Sequence, residues 1–305
     1  ECIAREHPHL VHVSVTPFGH TGPRARWRAS DLELMAAGGA MSLAGEPHGK
    51  PLRISVPQAR AWAGTQAASG ALVALFHRQM TGRGQHVDVS AQAAILVALA
   101  HAPAFVDMVD EVPTRCGAFI TGRTITGARL RAFWRCRDGY INFVIYGGNA
   151  GRRSNEQLIA WMREARAELG PLAALDAACF DPKRLTQAEI DALEAPVAVF
   201  FASLTKREFL EGASAREMLG YPVSSVADIA ADPQLDAREF WDDIAAANGE
   251  ILRHCGAFAR IDGARPKLRY AAGTPVSLRA LVATWAPRTS QSRPTPAMAP
   301  EEVSS

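Results

Sequence analysis

The sequence lacks a starting Met, a paired cysteine motif and a long uninterrupted apolar run, and each absence removes a class of protein. It opens on Glu1-Cys2-Ile3, without the basic and apolar stretches of a signal peptide. That opening implies a chain that begins inside a longer protein. Cys2, Cys116, Cys136, Cys179 and Cys255 are odd in number, scattered and without a CxxC pair. They suggest neither a disulfide framework nor a zinc site and favour the reducing cytoplasm. The most apolar stretch, Ala91 to Val106, is interrupted by His101 and Pro103, short of the roughly 18 uncharged residues that a membrane span needs. No membrane partner is expected. Thirty-three Lys plus Arg against 31 Asp plus Glu leave a formal charge of +2, too small to imply a nucleic-acid partner without a local basic stripe. The stretches richest in Arg, Arg24 to Arg28 and Arg123 to Arg137, are spaced by apolar residues and hold few stacking aromatics. They read as solvated faces or anion contacts.

What is present is an ordinary globular composition. Apolar residues make up 48% and charged residues 21% of 305 residues, which excludes collagen, coiled coil and disorder throughout, and allows one large domain or two ordinary ones. His9 to Val15 alternates with β-branched residues and ends at Pro17 and Gly19, so it reads as a strand feeding a turn. Ser30 and Asp31 precede a short helix that stops at Gly38-Gly39. Gly64 to Met80 has apolar residues at helical spacing and closes on Thr81-Gly-Arg-Gly84; Gln85 to Ser90 alternates as a strand, and Ala91 to Ala102 returns to a helical pattern. After Pro113 the texture changes: Arg137-Asp138-Gly139 is a turn between two short strands, and Asn155 to Leu169 and Leu185 to Leu193 look helical. Thr205 opens another helix with Glu208 at capping-box spacing, and Gly256 to Arg269 alternates again. Residues 1–128 and 245–286 are read as parts of a large domain, 129–244 as a small α+β domain and 287–305 as a disordered tail.

Five segments in order carry a family resemblance: His9 to Pro23, Gly38-Gly-Ala-Met-Ser-Leu-Ala-Gly-Glu-Pro47, Thr81-Gly-Arg-Gly-Gln-His-Val-Asp-Val-Ser90, Arg137-Asp-Gly-Tyr-Ile141, and Ala231-Asp-Pro-Gln-Leu235 with Arg238-Glu-Phe240. Together they resemble the family III CoA transferases, the group that includes formyl-CoA transferase, the carnitine CoA transferases and α-methylacyl-CoA racemase. The resemblance implies an α/β fold, here a partial Rossmann-like large domain with a smaller α+β domain, in a dimer of interlocked rings. About a hundred residues of the large domain normally precede the segment at His9. The implied chemistry passes coenzyme A from an acyl-CoA thioester to a carboxylic acid through an Asp nucleophile, with the thioester as substrate and no covalently bound cofactor.

That Asp normally stands four positions before the Gly that opens the long helix. Here the Gly is Gly64, and the matching position holds Arg60. Nothing from Val56 to Gly64 is an Asp, Glu, Cys or Ser, and a guanidinium is no nucleophile at neutral pH. Arg60 reads either as a surface arginine at a helix start or as a replacement able to pair with an anion. A second family position, a Tyr or His before an acid, is Ser30-Asp31; Asp31 is a retained acid or a helix N-cap. With both acid/base groups missing, racemisation is excluded. By the same resemblance, Arg28 falls where the family often has a basic CoA contact, and Gly122 and Gly127 stand in the weakly matched loop Gly117 to Gly127, stiffened by β-branched neighbours. His12, His20, His48 and His86 lack metal-ligand spacing and read as structural, and no metal is expected. The resulting expectation is a non-catalytic subunit that binds acyl-CoA and pairs, as a homo- or heterodimer, with an Asp-bearing chain. The alternatives are a stand-alone CoA or acyl-CoA binding protein, or an active transferase that uses Asp31 or Glu46.

Overall fold

The computed structural model describes residues 5–122, 125–246, 248–268, 277 and 279. The chain divides between Val223 and Ser224 into two compact units.

In the first unit, β1 (His12–Thr16) leads to α1 (Asp31–Ala37), α2 (Ala40–Leu43), the long α3 (Ala59–Thr81) and β2 (His86–Ser90). The two strands pair in parallel, from His12 opposite His86 to Thr16 opposite Ser90. Strand alternation therefore puts Val13, Val15, Val87 and Val89 on one face, and His12, Ser14, Thr16, His86, Asp88 and Ser90 on the other. Helix α3 lies on the valine face. At Gly70 it comes so close that a Cβ would fall 2.8 Å from Val87 Cγ1. The helix starts five residues before the Gly64 expected to open it, because Pro57 and Gln58 mark the turn into Ala59, and Gly64 is exposed in its second turn. It ends at Gly82, whose left-handed backbone (φ 72°) lets its N–H reach Arg78 O.

The helical stretch expected over Ala91 to Ala102 is instead two helices, α4 (Ala91–Ala98) and α5 (His101–Val109). No single helix among the described residues is long and apolar enough to cross a membrane; α4 and α5 together pass by composition but bend by 70° at their break. Leu34 and Met35 of α1, Ala59 and Ala63 of α3 and Ala91, Ala94 and Ile95 of α4 form a small core beside the sheet.

A second, larger core follows. β3 (Phe119–Gly122) and β4 (Ile125–Arg131) form an antiparallel hairpin, β5 (Phe133–Cys136) and β6 (Gly139–Asn142) another, closed by the expected turn at Arg137-Asp138. The helices are α6 (Gly148–Glu164), α7 (Gln187–Ala202) and α8 (Lys206–Ala215), with β7 (Tyr221–Pro222) returning to pair with β6. Helix α6 begins and ends earlier than the Asn155 to Leu169 pattern. Thr205 caps α8 as its spacing predicts: its hydroxyl accepts from Glu208 N at 3.1 Å, and Glu208 accepts from Thr205 N at 2.6 Å. The centre is aromatic. Phe201 meets Trp134, Phe143 and Phe209 edge-on at centroid distances of 5.6, 5.6 and 5.3 Å, and Trp134 Nε1 donates to Phe143 O at 2.6 Å.

Two N–H groups of β4 are taken up by side chains of α7 rather than by a strand. Arg129 N donates to Gln187 Oε1 at 2.8 Å and Arg131 N to Glu194 Oε1 at 2.6 Å, which blunts a sheet edge. The Glu194 side chain is 4% exposed, with Arg131 Nε 3.7 Å from its other oxygen. Burial pushes the Glu194 carboxyl up, and hydrogen bonding and charge from Arg131 only partly oppose this.

The second unit holds α9 (Val226–Ala230), α10 (Pro233–Ala237) and the antiparallel hairpin of β8 (Trp241–Ala245) and β9 (Ile251–Cys255). The alternation from Gly256 onward does not make a strand: residues 256–268 contain only the bridge between Ile261 and Ala264. The hairpin lies earlier, around the Asn248-Gly249 turn, where Gly249 has φ 82°. The domain boundaries read from sequence after Ala128 and Ile244 fall inside β4 and β8. The tail from Pro287 lies outside the described residues.

Two outcomes follow from this packing. Phe201→Ala empties a fully buried site and is expected to cost about 3–5 kcal/mol in urea denaturation. Glu194→Gln keeps an acceptor for Arg131 N without a charge to bury. A raised folded pKa means that the folded chain holds a proton the unfolded chain has already lost, so wild-type stability falls as pH rises from the ordinary carboxylate range through that pKa. Denaturation across that range should show the variant gaining on the wild type as pH rises; a constant difference would refute the assignment.

Candidate active site

Ser30, Asp31 and Arg60 lie near the carboxyl ends of β1 and β2, the edge at which open α/β sheets bind ligands. Ser30 is the N-cap of α1, and it closes a capping box: Ser30 N donates to Glu33 Oε2 at 2.8 Å and the Ser30 hydroxyl donates to the same oxygen. These bonds, the hydroxyl first and the backbone N–H second, hold the Glu33 carboxyl below its ordinary value. Ser30 is thereby spent on local structure.

Asp31 is freed from capping its own helix and caps another. Its Oδ1 accepts from Gln58 N and from Ala59 N, both at 2.7 Å. Gln58 is the N-cap of α3 and makes no side-chain cap bond, so a long helix whose first N–H groups have no local acceptor takes one from 28 residues earlier in the chain. The carboxylate also sits at the positive end of the helix dipole. Arg60 follows at once, in the first turn of α3, exposed and without an ion pair among the described residues. Asp31 and Arg60 thus stand at the same helix start, an acid from α1 and a guanidinium from the first turn of α3.

The other candidates stand apart. Arg28 is exposed and makes no ion pair among the described residues. Gly122 and Gly127 do not belong to a bare loop: they lie in strands β3 and β4, which pair antiparallel with Gly122 opposite Ile125. Arg123 and Thr124 lie outside the described residues. Glu46, the alternative carboxylate, is exposed in the segment after α2. That segment is pinned by Arg115, whose Nη2 donates to Gly49 O at 3.0 Å and Nε to Glu46 O at 3.2 Å. Gly117, at φ 58°, lies where a Cβ would run into the Glu46 carboxylate, and its N–H donates to Gly45 O at 3.0 Å. Sequence reasoning missed this brace and the reach of Asp31. The signal for the latter was a helix start at Pro57-Gln58 with no Ser, Thr, Asp or Asn to cap it.

His86 accepts or donates a 2.7 Å hydrogen bond with the Ser14 hydroxyl, and its ring stacks on His12 at 4.8 Å. No group of three His, Cys, Asp or Glu among the described residues is arranged to hold a metal. A cleft of about 340 Å³ between β4 and α7 is lined by Arg129, Arg131, Asp191 and Glu194 among others, with its cations and carboxylates balanced.

The model of the family described as CoA-transferase family III matches residues 1–276. The chain belongs to CoA-transferase family III. Among relatives in this family, subunit BbsE of the succinyl-CoA:(R)-benzylsuccinate CoA-transferase of Thauera aromatica is 36% identical over 242 residues, 79% of this chain and 57% of BbsE. Succinate–glutarate CoA-transferase of Agrobacterium fabrum is 25% identical over 88% of this chain and 62% of its own. A CAIB/BAIF family protein from Brucella suis superposes with a TM-score of 0.71 at 26% identity, covering 93% of this chain and 68% of that one. The mixed α/β architecture is thus that of family III, and the chain spans about three fifths of the length of these two curated relatives.

Asp31→Ala leaves two helix-start N–H groups without their acceptor and is expected to cost about 1–2 kcal/mol in urea denaturation. Asp31→Asn, which keeps the oxygen, should cost clearly less. Equal losses would mean that the carboxamide cannot serve this helix start.

Proposed function

We infer that this family III chain is the non-catalytic subunit of a CoA-transferase assembly, one that moves coenzyme A between an acyl-CoA and a carboxylic acid. The observation that carries the reading is the start of α3. Position 60, where the resemblance calls for the nucleophile, is an arginine, and the neighbouring carboxylate, Asp31, already accepts two backbone N–H groups. An oxygen whose lone pairs are committed to two short hydrogen bonds is a poor attacking group.

In the proposed assembly a second family III chain brings the Asp. Its carboxylate attacks the thioester carbon, the C–S bond breaks and CoA leaves as the thiolate, giving an aspartyl anhydride. The thiolate then returns to the aspartyl carbonyl and releases the first acid, and the second acid takes CoA by the reverse steps. This chain completes an interlocked dimer in which Arg28, the Ser30-Asp31 pair and the region of Gly122 and Gly127 line the thioester side. The naming of BbsE as a subunit, and of the 26% identical succinyl-CoA–L-malate CoA-transferase beta subunit of Chloroflexus aurantiacus, supports a chain that works with another. The site of work is the cytoplasm.

Hydroxylamine trapping tests the reading. Incubated with succinyl-CoA and hydroxylamine, this chain alone should yield no protein hydroxamate by peptide mass mapping, while co-expression with an Asp-bearing family III chain should yield one on that chain. A hydroxamate at Asp31 or Glu46 would overturn the proposal in favour of an active transferase.

A further inference from the structure

The cleft between β4 and α7 is built from residues that the function above does not use. One wall is a single face of α7, on which Gln187, Asp191, Glu194, Ala195 and Ala198 fall at helical spacing. The other is Phe119 of β3 with Arg129 and Arg131 of β4, Phe119 standing opposite Arg131. Two exposed charges line this cleft, and each is held by its own neighbours rather than by the other. The Arg129 guanidinium lies 5.1 Å from the Phe119 ring centroid. Asp191 Oδ1 accepts from Gln187 Nε2 at 2.8 Å, one turn back on the helix, and the same Nε2 donates to Arg129 O at 3.2 Å. Neither Arg129 nor Asp191 makes an ion pair among the described residues. The buried pair beside them is not closed either: Arg131 Nε is 3.7 Å from Glu194 Oε2, too long for a hydrogen bond, and neither atom has a hydrogen-bond partner among the described residues. Burial first, and the charge of Asp191 in smaller part, push the Glu194 carboxyl up.

An unpaired guanidinium and an unpaired carboxylate lining one small volume are complementary to a ligand that carries both charges. A simple anion would meet Arg129 but be repelled by Asp191, and a simple amine would meet the reverse. We propose that the cleft binds a small α-amino acid as its zwitterion, the carboxylate on the Arg129 guanidinium, the ammonium on Asp191 and an apolar side chain against Phe119, Ala195 and Ala198. A guanidinium takes a carboxylate in bidentate fashion, and an ammonium offers three donors to carboxylate oxygens. Asp191 Oδ2 is the acceptor that Gln187 leaves open. The ammonium also brings positive charge beside two carboxyls of α7, where the Asp191 charge otherwise acts against an ionised Glu194. Gln187 and Phe119 order both charged groups before the ligand arrives, which lowers the entropy lost on binding. A volume of about 340 Å³ lies at the small end of ligand clefts and favours one free amino acid over a peptide segment of a partner chain. The inference does not rest on the function proposed above, since none of these residues enters it.

The test is isothermal titration calorimetry on the full chain with L-leucine and with two analogues that each lack one of its charges, isocaproate and isoamylamine. The wild type should bind L-leucine about tenfold more tightly than either analogue, because each missing contact is a charge-assisted hydrogen bond. Arg129→Gln and Asp191→Asn should each weaken L-leucine binding by about tenfold. Arg129→Gln should leave isoamylamine binding unchanged, and Asp191→Asn should not weaken isocaproate. Both side chains are exposed, and circular dichroism checks that each variant is folded. The proposal is overturned if the folded wild type binds no L-leucine at millimolar concentration, or if both variants bind it as the wild type does. It is also overturned if either analogue matches L-leucine, which would leave a site for a single charge. It is equally overturned if Arg129→Gln disrupts association with an Asp-bearing chain but not L-leucine binding, which would make the cleft a subunit contact.

Discussion

The carboxylate of Asp31 on the two opening N–H groups of α3 is the contact on which the arrangement of the site depends. It ties the first residue of one helix to the start of another, and the same two helices bury Leu34, Met35, Ala59 and Ala63 in a core of mostly small side chains. Alanine-rich cores hold elements close but contribute little area per residue, so direction must come from polar contacts. Two charge-assisted hydrogen bonds to one oxygen supply it. They also decide the electrostatics next door, because a guanidinium at the positive end of a helix is poorly placed unless an anion stands beside it.

What the sequence made legible was local. The Thr205 and Glu208 box, the β1 and β2 alternation, the Ser30 cap and the absence of a nucleophile from Val56 to Gly64 are all read within a few residues. What it hid was long-range or masked by a louder signal. Gly64 drew attention from Pro57, which marks the real helix start, and alternation after Gly256 drew attention from Asn248-Gly249, which turns the real hairpin. The cover that α7 gives β4 joins residues about sixty positions apart, and no periodicity announces it. The same holds for Asp31 and Gln58. In the candidate site, residue identity was therefore readable and role was not: Asp31 could be seen as an acid near a helix, but not which helix it serves.

The two halves of the first unit are stabilised in different ways. The aromatic cluster around Phe201 relies on large, directional ring contacts. The parallel pair relies on close backbone approach, with Gly70 set directly against Val87. Parallel strands are generally covered on both sides, and α3 covers the valine face here. The face carrying His12, Ser14, His86 and Asp88 is correspondingly the one where side chains bond to each other and to the following loop, as His20 N does to Asp88 at 2.8 Å.

Arg115 has a consequence of a different kind. Its guanidinium gathers the carbonyls of Glu46 and Gly49 from a stretch of chain sixty-odd residues away, and Gly117 adds a backbone bond to Gly45 beside them. The planar fork of donors can serve several acceptors at once, which a lysine ammonium on its flexible stem does less well. The brace makes a closed ring of the polypeptide between Gly45 and Gly117, independent of the helix contacts inside it. A peptide bond broken in the exposed run 51–56 would open that ring without releasing either end, because each remains fastened on its own side of the cut. Covalent continuity and structural continuity are thus partly separate in this part of the molecule.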